Sequence, residues 1–257
     1  MRLKMFSPYD HFPNHNYVEG EPYIPCYNDR YVMQKKIEPN AVALLIEPRS
    51  LIPEMYTYIE NHSDKFKLIF THDSILLSML PNTRPIIYGG IWDTNDIPKT
   101  KDISFCSANK DYCFIHKQRR ELAFQLENKI DCMGTYNGGH KVSTYDIYAP
   151  YKFSVVIENY VDDLWFTEKI CNAFSNKCVP IYYGARKITD YFDSHGIVIV
   201  KNFYDIPAIV DRIKENVDEE YDKRKKAIEK NYIAVRKFRL FEEWFFNQWG
   251  EELEKLL

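Results

Sequence analysis

The sequence predicts an α/β protein built from two Rossmann-like halves, and three observations lead there. Strand-like and helix-like segments alternate on both sides of a glycine pair, Gly89-Gly90, as open sheets of parallel strands require. Residues 155–157 and 179–183 are continuous apolar runs rich in β-branched and aromatic residues, the pattern of strands buried on both faces. Between them, Thr167-Glu168-Lys169 opens a segment whose Ile170, Ala173 and Phe174 fall on one side of a helix.

The elements follow in order. Residues 2–6 are expected as a strand, 42–46 as a clearer one, 52–61 as a helix, 66–70 as a strand, 75–80 as a short helix and 85–88 as a strand. Residues 7–39 are rich in Pro, Asn and Tyr without a period and read as a loop with at most one short helix. Gly89-Gly90 and the polar residues 93–101 read as a linker. The pattern then restarts with a strand at 103–106, a helix at 118–127 and a short strand at 131–134. The strand–helix–strand segment of 151–184 comes next, followed by a helix near 187–192, a strand at 197–200 and a helix from about 206. The tail, 219–257, is helical, and Phe238, Phe241, Phe245 and Trp249 recur at helical spacing with Trp244 alongside; such a stripe needs a surface to bury it. The expected division is residues 1–98 and 99–235 as the two halves, with 236–257 as a helix packed on the body. Two small α/β halves facing a cleft are the layout of nucleotide-sugar transferases of the GT-B type, an analogy of fold and not of function.

Composition narrows the class. A chain of 257 residues is long enough for one large core or two small ones. Its net charge of −3 provides no global basic field for nucleic acid, and a local run such as 223–226 reads as a solvated helix face. Aromatics make up 16% of residues, which suits packed cores and sugar-binding clefts and opposes disorder. The six cysteines form no CxxC pair, so zinc-site spacing is absent and reduced thiols in a cytoplasmic compartment are the expectation. No stretch is long and apolar enough for a membrane span, and the start MRLKMFSPYD lacks the apolar core of a signal peptide. Oligomeric state leaves no readable mark.

Lys169 anchors the chemistry. A lysine in a first helical turn, beside free backbone N–H groups, suits a pyrophosphate. A glycosyl donor departs as a nucleoside diphosphate, and a fixed cation there stabilises the transition state more than the ground state. Arg119, near the start of the helix after strand 103–106, is a second phosphate candidate because a guanidinium forks onto phosphate oxygens. Glu168 reads either as a ligand for sugar hydroxyls or as a first-turn carboxylate favoured by the helix dipole. Glu158 and Asn159 end a buried strand, where a carboxylate is costly without a partner; they contact the donor or make structural hydrogen bonds. Trp165 stacks on a ribose or base, or packs in the core. Asp162-Asp163 raises a metal reading, but adjacent aspartates before a helix are commoner as N-caps. A clamp of lysine and arginine makes a metal unnecessary, so neither metal nor cofactor is expected.

Tyr151-Lys152-Phe153, Ile157-Glu158-Asn159, Thr167-Glu168-Lys169, Val179-Pro180-Ile181 and Gly184 together resemble the donor-binding motif of the α-1,3-fucosyltransferases, glycosyltransferase family 10. The likeness is continuous over residues 151–184, weaker through 200, and loose in the N-terminal half. It implies a GT-B fold, GDP-fucose as donor, a glycan hydroxyl as acceptor and inversion at the sugar carbon without an obligate metal. By position it places Lys169 on the pyrophosphate, Glu168 on the fucose, and Asn159 and Trp165 in the donor pocket. The family's strand ending in serine, with an arginine seven residues before a leucine, falls here on Ser107 and on Arg119 before Leu126, which favours Arg119 over Arg120. Its general base is a glutamate in an Asp-Glu pair after an N-terminal strand. Here that strand is followed by Thr71-His72-Asp73-Ser74, so Asp73 is the first candidate, with His72 and Glu47 behind it. A transferase for another GDP- or UDP-sugar, and a nucleotide- or glycan-binding module without catalysis, remain alternatives at this stage.

Overall fold

The computed structural model describes all residues from Met1 to Leu257. They divide into two compact units, one of Met1–Tyr88, Asp162–Trp165 and Leu240–Leu257, the other of Gly89–Val161 and Phe166–Arg239.

The first unit holds five parallel strands, β1 (Leu3–Phe6), β2 (Ile24–Asn28), β3 (Val42–Leu45), β4 (Leu68–Thr71) and β5 (Thr83–Pro85), in sequential order across the sheet. Two helices, α1 (Pro53–His62) and α2 (Ser74–Met79), lie in its connections. Crossovers between parallel strands are right-handed. Steps taken always in the same direction therefore put the helices on one face, where Met55, Tyr56 and Ile59 of α1 and Leu76 of α2 pack with Ala43, Leu45 and Ile69.

β2 corrects the sequence reading, which placed residues 24–28 in a loop. All five residues are buried, but Pro25, Cys26 and Asn28 break the β-rich apolar pattern that marks the other strands. Pro25 pairs with β1 and lies outside the stretch registered with β3, a strand-start position that tolerates its missing N–H. β5 likewise ends at Pro85, ahead of the expected 85–88, and the apolar Ile86 and Ile87 are buried beyond the strand.

The second unit is a doubly wound sheet. Its strands are β6 (Lys101–Cys106), β7 (Asp131–Met133), β8 (Tyr151–Ile157), β9 (Val179–Tyr183) and β10 (Val198–Ile199), all parallel, in the order β10-β9-β8-β6-β7. The helices are α3 (Phe114–Leu126), α4 (Thr144–Tyr148), α5 (Glu168–Ser175), α6 (Ile206–Glu215), α7 (Val217–Asp222) and α8 (Lys225–Ala234). The chain reverses its direction of travel between β6 and β8, and open α/β sheets bind ligands at the carboxyl ends of such a pair. α3 starts four residues before the expected 118, because Phe114 is 70% exposed and falls outside the helix's apolar face. Residues 187–192 form only a 3-10 turn, Ile188–Asp190, since so short a segment cannot sustain an α-helix alone. α4 was not anticipated; five residues are too few to show a period.

The last helix, α9 (Phe241–Glu254), returns to the first unit. It covers the sheet face that the same-handed crossovers leave bare: Phe245 and Leu253 pack with Val42, Leu44, Leu68 and Phe70, flanked by Phe241, Trp244 and Trp249. The alternation along β3 shows the two faces, with Val42 and Leu44 toward α9 and Ala43 and Leu45 toward α1. Phe245 is 1% exposed, with ring centroids of Phe70 and Phe12 at 4.7 and 4.9 Å. Phe238 instead packs in the second unit against Phe166 and Phe192.

Past β4, His72 is 1% exposed and its ring lies 4.2 Å from that of Trp165. Burial holds its imidazole down at about 4, against partial opposition from the Asp162 and Asp73 carboxylates.

Two predictions follow from this packing. Phe245→Ala is expected to lower the unfolding free energy by about 3–5 kcal/mol, and Tyr204→Ala, at a ring 73% exposed, by about 0.5 kcal/mol or less; denaturant titration measures both. The unfolded His72 takes up its proton near 6.5 and the folded one only near 4, so the stability of the neutral buried ring is whole above about 6.5 and lost as pH falls toward 4. Between pH 7 and 4.5, His72→Gln should therefore lose roughly 2–3 kcal/mol less than the unsubstituted chain; equal losses would contradict this.

Candidate functional site

The carboxyl ends of β6 and β8 place Cys106, Ser107, Glu158 and Asn159 side by side at the reversal in the second unit. Glu158 has no exposed surface. Its Oε1 accepts from the Thr167 backbone N–H at 2.9 Å, and its Oε2 from the Thr167 hydroxyl at 2.9 Å and the Lys169 ammonium at 3.1 Å. Those three donors offset the cost of burying a carboxylate. Thr167 is also the N-cap of α5, its hydroxyl accepting the Lys169 N–H. The end of one strand thus fixes the first turn of the next helix. Gly184 closes the arrangement from β9, since a Cβ there would stand 2.4 Å from the Tyr182 hydroxyl and 2.7 Å from Glu158 Cγ.

Lys169 is held but not sealed, with 20% of its side chain exposed. Burial pulls its pKa down, and the Glu158 and Glu168 carboxylates outweigh that pull and hold it above the ordinary lysine value. Glu168, with Oε1 3.5 Å from the ammonium, is pushed up by burial and drawn down further by Lys169, ending below the usual carboxylate value. Both groups are therefore charged at neutral pH. Arg119 ties the two strand ends together: its guanidinium donates to Asn159 Oδ1 and to the Cys106 carbonyl, both at 3.1 Å. Its Nε is buried without a partner.

Two adjoining pockets share Arg119, Glu168 and Lys169. One, of about 130 Å³, runs back over Trp92, Ile147, Tyr148 and Val156. The other, of about 220 Å³, is lined by Ser107, Ala108, Lys110, His116 and Asn159. Three permanent cations border the second pocket against one carboxylate, Glu168, so it suits an anion. Arg120 lines neither and donates to Asn109. The sequence reading missed His116 and Lys110. His116 stands one turn before Arg119 on α3, but the helix expected at 118–127 left it outside, so no spacing signal pointed to it.

The remaining candidates lie in the first unit. Asp73, with no exposed surface, caps α2 by accepting the Leu76 N–H at 2.9 Å and takes a two-pronged contact from Arg49 at 2.9 and 3.0 Å. His72 is buried beside the Tyr56 hydroxyl. Trp165 is 4% exposed and packs on His72; it borders neither pocket. Asp162 does not cap the helix it precedes, whose N-cap is Thr167; it accepts instead from the Ser74 N–H and hydroxyl at the start of α2. Glu47 is exposed at the end of β3. Its backbone N–H donates to Asp29 at 3.0 Å and its carbonyl accepts the Tyr56 hydroxyl at 2.8 Å.

Comparison with known proteins places the chain among fucosyltransferases. Human GDP-fucose protein O-fucosyltransferase 3 is 38% identical over 92 residues, which are 35% of this chain and 17% of that protein. The alpha-(1,4)-fucosyltransferase of Arabidopsis thaliana is 30% identical over 69 residues, 27% of this chain and 17% of that one. The chain thus matches only a small part of the length of these relatives. Among solved structures, an alpha1,3-fucosyltransferase with GDP-fucose superposes with a TM-score of 0.55 at 14% identity, over 91% of this chain and 77% of that one, which establishes the GT-B type of fold. The family model described as glycosyltransferase family 10 (fucosyltransferase) C-term matches residues 98–243. The chain belongs to glycosyltransferase family 10, the fucosyltransferases.

Proposed function

We propose that this chain transfers L-fucose from GDP-fucose to a glycan hydroxyl with inversion at the sugar carbon, without an obligate metal. The observation that carries the reading is the pair of cations, Lys169 and Arg119, bordering the same pockets at the reversal between β6 and β8. The diphosphate of the donor lies against these two groups. As the bond from the sugar C1 to the diphosphate oxygen breaks, its electron pair passes to that oxygen, and the fixed cations stabilise the growing charge. Glu168, at the edge of both pockets, accepts from sugar hydroxyls.

The acceptor oxygen attacks C1 from the opposite face and gives its proton to a general base. Asp73 has both oxygens engaged by Arg49 and Leu76, and His72 is buried. Glu47, exposed at the carboxyl end of β3 and pinned through its backbone, fits the base best. Six cysteines without a disulfide suit a reducing, cytoplasmic compartment; no helix is long and apolar enough to cross a membrane.

In a panel of nucleotide sugars, turnover is expected with GDP-fucose, and turnover with a UDP-sugar alone would reject the donor assignment. GDP should raise the melting temperature, and Lys169→Ala should remove most of that shift. Glu47→Gln should lower kcat by about 10²–10⁴-fold with GDP affinity unchanged; unaltered turnover would remove Glu47 from the mechanism.

A further inference from the structure

Three polar atoms in the second unit are buried without a hydrogen-bond partner at one place: Ser107 Oγ, His116 Nδ1 and Arg119 Nε. Their residues line the same 220 Å³ pocket. Ser107 and His116 are 1% and 6% exposed. Buried polar groups in folded proteins are nearly always paired, and a cluster of orphans around one cavity marks a place where a ligand's atoms complete the set. The arginine presents an N–H, the imidazole presents one at Nδ1 when that nitrogen is protonated, and the hydroxyl can donate as well. The missing partner is therefore rich in acceptor oxygens.

We infer that His116 is a donor-binding residue of this chain, donating from Nδ1 to a diphosphate oxygen of the bound nucleotide as a protonated imidazolium. The inference rests on the reading of the pocket as a diphosphate site. Its placement follows from α3: His116 sits one turn before Arg119, so both side chains reach the pocket from one helix face. The groups facing the ring are Arg119, Lys110 and Lys169, with Asn159 hydrogen-bonding it and Tyr112 edge-on at 5.9 Å. Burial first, then the Arg119 and Lys110 charges, hold the ring below its ordinary pKa. A diphosphate reverses the balance of charge around the ring, and binding then takes up a proton.

The experiment is calorimetric titration of the full chain and of His116→Gln with GDP at pH 8 and pH 6. The β-phosphate of GDP itself titrates near pH 6, by analogy with phosphate monoesters, and comparison with the variant removes that contribution. The ratio of the variant's Kd to that of the unsubstituted chain is expected to be several-fold larger at pH 6 than at pH 8, a factor of about ten being the limit for one pKa unit of upward shift. An equal ratio at both pH values overturns the inference and leaves the diphosphate reading standing. Absence of GDP binding by the unsubstituted chain overturns both. Should the variant fail to fold, the His116 ring nitrogens of the unsubstituted chain, followed by NMR at pH 7, are expected to move to imidazolium values on adding GDP; a ring that stays neutral in the complex overturns the inference.

Discussion

The site in the second unit depends on one buried carboxylate. Glu158 receives the backbone and hydroxyl of Thr167 and the ammonium of Lys169, so a single side chain at the end of β8 holds the residue that caps α5 and aims the helix's lysine. A flexible four-carbon side chain ordinarily loses much rotational freedom when it grips a ligand. Here that ordering is done on folding, before any ligand arrives. The same carboxylate keeps the ammonium charged despite burial, which a catalyst that neutralises a departing anion requires. The cost is competition: the ammonium already donates to the Thr167 hydroxyl at 2.8 Å and to Glu158 at 3.1 Å, with Glu168 3.5 Å away, so an incoming anion competes for its third donor. Arg119 is prepared in the same way, with two of its nitrogens spent on Asn159 and Cys106 and Nε unpartnered.

The first unit meets a different constraint. Sequential strand order gathers the crossover helices on one face, and the opposite face would lie bare. α9 supplies the cover, and its aromatic stripe is the price of a sheet that is wound in one direction only. The second unit needs no such cover, because reversal at β6 and β8 sends helices to both faces. The same reversal that balances the packing opens the crevice where the candidate site lies. Architecture and chemistry therefore have a common origin in the order of five strands.

Much of this was legible in the residues. The apolar runs of β8 and β9, the Thr-Glu-Lys opening of α5 and the stripe of α9 are periodic or continuous signals, and each became the expected kind of element. β2 was not legible, since its proline, cysteine and asparagine conceal a strand that burial in the sheet stabilises. Sequence leaves open whether Glu158 touches a ligand or fastens its own helix; only coordinates show three internal donors around it. Trp165 was equally open, and its ring packs on His72. His116 carried no motif, and its interest comes from an unpartnered nitrogen, a property of the fold and not of residue order. Asp73 followed a strand as a base should, yet the arginine that locks it comes from a loop after β3 that no spacing rule connects to it.

A crystal structure of the full chain with GDP bears most directly on the central claim. The account predicts diphosphate oxygens within hydrogen-bond distance of Lys169 Nζ, with Glu158 still accepting from Thr167 and the ammonium still in contact with its carboxylate. A nucleotide lodged away from the ends of β6 and β8, or a Lys169 that binds it only after leaving Glu158, would contradict the account.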